Sequence, residues 1–220
     1  MVNKYSFIHF SLVLFSLVIT MPHAHAVKED PCSQFKNAAI DQSLISQMLD
    51  AAEDGYLYRV KTDSSTMGFC VKSPIGLVSG SFKKFQGGIA LKEPHNQTLI
   101  SVDMSSVNTD TLFIKELLQG DDFFDIEDHP DLMFVSSGFE WQSDTKAVIK
   151  GELRMHGVTK PVAFYVEITE VDQELGDSDT ILVKATTTIQ RSEFGMRALS
   201  PLVSDKVNLC MSVKAERVKA

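Results

Sequence analysis

Between Ile149 and Ile168 the chain alternates. Ile149, Gly151, Leu153 and Met155 interleave with Lys150, Glu152, Arg154 and His156. Beyond Gly157, Val162, Phe164, Val166 and Ile168 interleave with Ala163, Tyr165 and Glu167. A period of two sends successive side chains to opposite faces of a strand, so each segment has one apolar and one polar face. Two such segments joined by a tight turn make an antiparallel hairpin. Gly157 is the residue that adopts positive φ there without a Cβ clash. Pro161 is expected to start the second strand, where its missing N–H matters least.

The same period recurs along the chain. Met67, Phe69 and Val71 alternate with Gly68, Cys70 and Lys72. Leu99–Val107, Leu132–Phe139, Leu182–Ile189 and Val207–Val218 are further strand candidates. Repeated short strands with one apolar face, punctuated by Gly and turn residues, predict an all-β antiparallel barrel or sandwich. Two stretches depart from it. Over Ala38–Asp54, Ile40, Leu44, Met48 and Ala52 recur every fourth residue, joined by Ile45 and Leu49, with Gly55 as a fitting C′ residue. This reads as an amphipathic helix packed on the outside of the domain; a lid or partner-docking helix is the other reading. Thr111–Gln119 reads as a short helix, capped by Asp110 or Thr109 and ended by Gly120. Leu112, Phe113, Ile114, Leu117 and Leu118 leave it little polar face, so it is expected to be covered almost all round, across a barrel mouth or against the core.

The first 26 residues have the pattern of a cleaved secretory signal: Lys4, the apolar run Phe7–Ile19, then Ala24-x-Ala26. The apolar run is short of the ~20 residues a membrane span needs. Residues 27–55 then form an N-terminal helical extension and 56–220 the barrel domain. The formal charge is −8, or −9 once Lys4 leaves with the signal. That balance argues against nucleic acid or an anionic membrane as the main partner, and the absence of a later long apolar run argues against an integral membrane protein. His95, His129 and His156 are too scattered for a metal site, so no metal is expected. Export leaves Cys32, Cys70 and Cys210 in an oxidising compartment. Three pairings are open. Cys70–Cys210 is favoured, because both lie on the polar phase of their strands and a closing barrel brings an early strand beside the last.

In order along the chain stand Val78-x-Gly80-x-Phe82, Asp103-x-Ser105-Ser106-Val107-x-Thr109, Asp122-Phe123-Phe124-Asp125, His129-Pro130 with Phe134-x-Ser136, Gly151-x-Leu153, His156-Gly157-Val158-Thr159-Lys160-Pro161-Val162, and Arg191-Ser192-x-Phe194-Gly195-Met196. Taken together, from about Tyr58 to Val218, these resemble the YceI family of periplasmic lipid- or polyisoprenoid-binding proteins. The resemblance implies an eight-stranded, lipocalin-like antiparallel barrel with a long apolar cavity. It implies an exported, periplasmic carrier for an isoprenoid quinone, a fatty-acid-like ligand or another long apolar lipid, with no catalysis and no other cofactor. The apolar lipid is the expected partner, and a homodimer is compatible with the reading. This chain departs from the family at Ile114-Lys115-Glu116-Leu117-Leu118, where the family is more polar.

Alternation and the mouth helix nominate Phe69, Val71, Phe82, Phe85, Met104, Phe113, Leu117, Phe123, Phe124, Phe134, Leu153, Met155, Phe164 and Phe194 as ligand-lining residues. An enzyme acting on a lipid or amide would need an acid–base pair or nucleophile, and Glu116, His129, His156 and Arg191 are the candidates. No spacing joins them, and His156 reads as a turn residue. If the N-terminal reading holds, sequencing of the exported protein begins at Val27; a mature chain that retains Met1–Ala26 refutes it.

Overall fold

The computed structural model describes residues 42–170 and 178–219. The expected signal segment, Cys32 and the first residues of the expected helix Ala38–Asp54 lie outside the described residues. The described chain runs α1 (Gln42–Glu53), β1 (Leu57–Val60), β2 (Thr66–Ser73), β3 (Gly76–Phe82), β4 (Phe85–Ala90), β5 (Gln97–Asp103), β6 (Val107–Thr109), α2 (Leu112–Gln119), β7 (Asp131–Trp141), β8 (Lys146–Met155), β9 (Val158–Glu170), β10 (Thr180–Gln190) and β11 (Lys206–Arg217).

The eleven strands join in one antiparallel sheet. β1 and β2 both lie along β11, with Tyr58 opposite Arg217 and Val71 opposite Val207. They are halves of one long strand broken by a 3₁₀ turn at Thr62–Ser64. In the same way β3 continues into β4, and β5 continues into β6. The segments therefore form an eight-stranded up-and-down barrel, closed where β11 meets β1 and β2. The three breaks lie at one level. Thr62 donates its hydroxyl to the Phe85 carbonyl (2.7 Å), Lys83 N–H reaches Ser106 O (3.2 Å), and Asp103 N–H reaches Lys84 O (3.0 Å). Cross-strand bonds at the breaks satisfy backbone groups that the interrupted ladder would strand.

Period two sorts the side chains between inside and outside. Ile149, Leu153 and Met155 of β8, Phe164, Val166 and Ile168 of β9, and Ile181, Val183 and Ala185 of β10 are all buried in the barrel interior. A second apolar layer lies outside the barrel. There Leu44, Ile45, Met48, Ala51 and Ala52 of α1 cover Leu57, Ala90, Leu99 and Met133, which are out of phase with the interior residues of β1, β4, β5 and β7. The stripe that predicts the helix is therefore spent on the barrel wall. Gly55 ends α1 at φ +77°, in the left-handed region expected of a C′ glycine.

At the far end from α2 the barrel is sealed by a polar network. Tyr58, fully buried, donates to Ser178 O (3.0 Å) and accepts from Arg217 Nη2 (2.8 Å), while Arg217 Nη1 donates to Gly55 O (2.6 Å). The opposite end carries α2, the β8–β9 turn, the β2–β3 hairpin and the 195–205 loop, and is the mouth.

Several expectations need correction. β3 and β4 are absent from the period-two reading, because Gly76, Gly80, Gly87 and Gly88 dilute the apolar signal over 76–90, and β1, with 4 residues, is too short to show the period. Thr111, not Asp110 or Thr109, caps α2, its Oγ1 accepting from Ile114 N–H (3.3 Å). Gly120 closes that helix at φ −71°, outside the left-handed region. α2 is not covered all round: Leu118 is buried, while Leu112 and Phe113 face solvent. The helix rests only one side on the mouth. Pro161 is the fourth residue of β9 rather than its start; β10 pairs with β9 only from Tyr165 onward, so Pro161 lies on a one-sided stretch.

The Cys70–Cys210 bridge is not formed, and both thiols are free. The outward phase is as expected, but the register places Asn208 opposite Cys70 and Gly68 opposite Cys210. Diagonal neighbours stand about 7–8 Å apart, beyond the usual reach of a disulfide.

The β8–β9 connection is a two-residue turn with both central residues at positive φ, His156 at 51° and Gly157 at 70°. That is the type I′ geometry whose twist matches paired strands. A Cβ on Gly157 would also stand 2.8 Å from His129 Cε1, whereas one on Gly55 would meet nothing within 4 Å. Gly55→Ala is expected to cost about 1–2 kcal/mol from the left-handed backbone alone. Gly157→Ala should cost more in the same denaturant titration, because the imidazole must also move.

Candidate functional site

The interior residues leave two apolar voids in line along the barrel. The inner one, about 70 Å³, is walled by Met67, Ile89, Thr98, Ile100, Val102, Phe134, Ile149, Leu153, Phe164, Val166, Ile168, Val183, Ala185, Met211 and Val213. The outer one, about 60 Å³, lies beneath the mouth among Phe69, Val71, Met104, Leu118, Phe123, Phe124, Met155, Ile189, Arg191, Met196, Val203 and Val207. Phe82, Leu132 and Leu209 belong to both and form the waist between them. The waist is built by neighbouring aromatics: Phe69, Phe82 and Phe124 lie with ring centroids 5.8–6.1 Å apart.

The walls are hydrocarbon. Thr98 is the one hydroxyl residue of the inner wall, and its buried Oγ1 has no hydrogen-bond partner among the described residues. Arg191 borders the outer void but its guanidinium is engaged elsewhere. Nε donates to Ser204 O (3.0 Å), Nη1 to Met196 O (2.7 Å) and Nη2 to Val203 O (3.0 Å). It clamps the 195–205 loop over the mouth. Such apolar voids stay dry. At about 24 cal/mol per Å³, leaving them unfilled costs on the order of 1–2 kcal/mol each.

Ten of the residues nominated from sequence border these voids: Phe69, Val71, Phe82, Met104, Phe123, Phe124, Phe134, Leu153, Met155 and Phe164. Phe85 and Phe194 are buried in the interior core without bordering either void. Leu117 is half-buried and packs against that core. Phe113 is 71% exposed and forms no part of the wall, because it projects from the solvent side of α2. The aliphatic wall residues, such as Ile100, Val166 and Val183, go unnominated although they share the same alternation; selection by aromatic type obscures them.

The mouth brings the two most distinctive strings of the sequence together. His156 Nδ1 stands 3.0 Å from Phe194 O and Nε2 3.4 Å from Asp121 O. Its ring meets His129 edge-on at 5.3 Å, and His129 Nε2 is 3.8 Å from Asp125 Oδ2. His156 thereby ties the β8–β9 turn to the 121–125 turn and to the Arg191–Phe194 turn. Neither histidine borders a void, and Glu116 is exposed on α2. The four polar candidates do not converge on the cavity.

Asp205 secures the same rim. Its carboxylate accepts from Ser192 N–H (2.8 Å) and Ser192 O–H (2.8 Å). The backbone hydrogen bond, against the opposing effect of burial and aided by the Ser192 hydroxyl and Arg191, holds its pKa below the ordinary carboxylate value.

Comparison with known proteins finds the YceI-like domain family over residues 58–215. A UPF0312 protein of Pseudomonas putida strain F1 is 28% identical over 145 residues, covering 64% of this chain and 75% of that protein. Among solved structures, BcnA of Burkholderia cenocepacia superposes with a TM-score of 0.63 at 21% identity, covering 70% of this chain and 98% of that one. The Campylobacter jejuni YceI protein gives 0.58 at 27% identity, covering 64% and 85%. A polyisoprenoid-binding domain from Saccharophagus degradans, implicated in plant cell wall breakdown, gives 0.58 at 18% identity, covering 73% and 98%.

Because the Asp205 pKa is depressed in the folded protein, its contribution is present above the ordinary carboxylate range and is lost as pH falls through the folded value. Asp205→Asn should therefore melt below the wild type at neutral pH and lose less on acidification. Parallel pH–melting curves for the two proteins would rule this out.

Proposed function

This chain belongs to the YceI-like domain family, and we propose that it carries or sequesters a long apolar lipid inside its barrel without chemically altering it. The observation that carries the reading is the line of two hydrocarbon-walled voids meeting at Phe82, Leu132 and Leu209. An apolar chain entering them gains about 0.8 kcal/mol per buried CH₂ and removes the cost of empty space. A longer chain would occupy both voids by displacing the waist side chains, and Met67, Met104, Met155 and Met211 supply walls that adapt to an imprecise fit. A polyisoprenoid or quinone-like tail suits this bore, and likeness to the polyisoprenoid-binding domain from Saccharophagus degradans supports it by analogy. The reading is one of binding because the polar candidates do not converge on the cavity: Arg191 borders the outer void with its guanidinium bound to three carbonyls, His156 holds the mouth turns together, and Glu116 faces solvent. The signal-like first 26 residues support export, with the periplasm as the site of action.

Organic extraction of the natively produced protein followed by mass spectrometry should recover a lipid in near-stoichiometric amount. Ala185→Leu, which fills the inner void, should lower affinity for an added polyprenyl probe at least tenfold without lowering the melting temperature. Extracts that are repeatedly empty, together with unchanged probe binding in Ala185→Leu, would sink the proposal.

A further inference from the structure

Large apolar side chains are exposed where they would be least expected, around the mouth. Ile75 and Leu77 lie on the β2–β3 hairpin, Leu112 and Phe113 on α2, and Leu199 and Leu202 on the 195–205 loop, each at least half exposed. Backbone pairing places the three segments at one end of the barrel. Lys72 stands opposite Leu77 at the hairpin, and Ser204 N–H donates to Lys72 O (2.9 Å). Thr109, three residues before Leu112, pairs with Gly80 on the strand that leads back to Leu77. The other faces of the same segments, through Val71, Leu118 and Val203, wall the outer void. The rim is therefore apolar on both sides: inward to the cavity and outward to solvent.

We propose that this rim docks on a lipid bilayer, from which the barrel loads its apolar cargo directly. The inference rests on the carrier reading above and names where the carrier works. A chain that fits hydrocarbon walls is held in membranes rather than in water, so the opening must meet a membrane for transfer to be direct. Contiguous exposed apolar residues mark an interaction site. Their composition suits the interface of a bilayer, where apolar residues dip below the headgroups and basic side chains snorkel to the phosphates. Across 72–78, 110–117 and 197–206 stand Lys72, Lys115, Arg197 and Lys206 against Asp110, Glu116 and Asp205. Asp205 is turned onto Ser192. These three segments are close to neutral, and the acidic stretch Asp121, Asp122, Asp125, Glu127 and Asp128 lies beside them at the same end, so docking rests on the apolar side chains and suits a zwitterionic rather than an anionic surface.

The test is flotation of the purified protein with phosphatidylcholine vesicles, paired with transfer of a fluorescent polyene lipid from those vesicles into the barrel. Wild type should float, and the double variant L112D/F113D and the single variant L202D should each bind vesicles at least tenfold more weakly. Tyr165→Asp, at an exposed apolar residue of β9 outside the rim, should float as wild type does. The rim variants should bind the same lipid delivered from cyclodextrin with unchanged affinity, yet take it from vesicles at least tenfold more slowly. Equal flotation of wild type and rim variants overturns docking. So does a dimer in sedimentation velocity that the rim substitutions dissociate, since the apolar rim would then serve a second copy. If no version binds the lipid from cyclodextrin while flotation behaves as stated, the carrier reading fails and membrane docking stands.

Discussion

β11 pairs on one side with β10 over its whole length and on the other with both β1 and β2. This double pairing closes the sheet, and the rest of the molecule depends on it. A closed antiparallel sheet has no edge on which unpaired N–H and C=O groups would recruit other chains. Closure also divides every strand into an inner and an outer set of side chains, so one substitution phase decides between cavity and surface. With eight strands the bore is too wide to be filled completely by the chosen Val, Ala and Ile side chains and too narrow for an aqueous channel. Two apolar-walled voids are the result.

The first three long strands reach around the barrel only by breaking at the same level, at Thr62–Ser64, between Phe82 and Phe85, and at Met104–Ser106. Those breaks turn Phe82 and Met104 inward, and Phe82 becomes part of the waist between the voids. Local backbone irregularity thus sets the shape of the cavity. Opposite in character, the two barrel ends are both held by polar contacts. Tyr58 and Arg217 seal one end. At the other, His156, Arg191 and Asp205 pin turns that carry apolar side chains over the opening. Arg191 is buried yet satisfied by three carbonyls, which is the condition under which a buried cation is tolerated.

Much of the architecture was legible in the chain because burial in a closed sheet imposes a strict period. Ile149–Met155 and Val162–Ile168 announce β8 and β9 with the correct inner faces, and Gly157 announces their turn. β3 and β4 were not legible, since their glycines carry no side chain to show a face and depend on neighbours such as Phe69 and Ile100 to cover them. The candidate cavity was legible by phase but not by residue type. Phe113 belongs to an apolar run and still faces water, because a helix of this length has two sides and only one meets the mouth.

The order of polar and apolar residues was enough to specify strands, the outer helix and an apolar interior, since these follow from which side chains water rejects along a regular backbone. Register, ring closure and the meeting of distant turns required the folded molecule. Two residues of register separate Cys70 from Cys210 as partners, and no local pattern reports it. The contact of His129 with His156, the engagement of Arg191 with three carbonyls and the gathering of exposed Ile, Leu and Phe residues at one rim arise from segments far apart in sequence. Their proximity is a property of how eight strands close, because only closure decides which loops share an end.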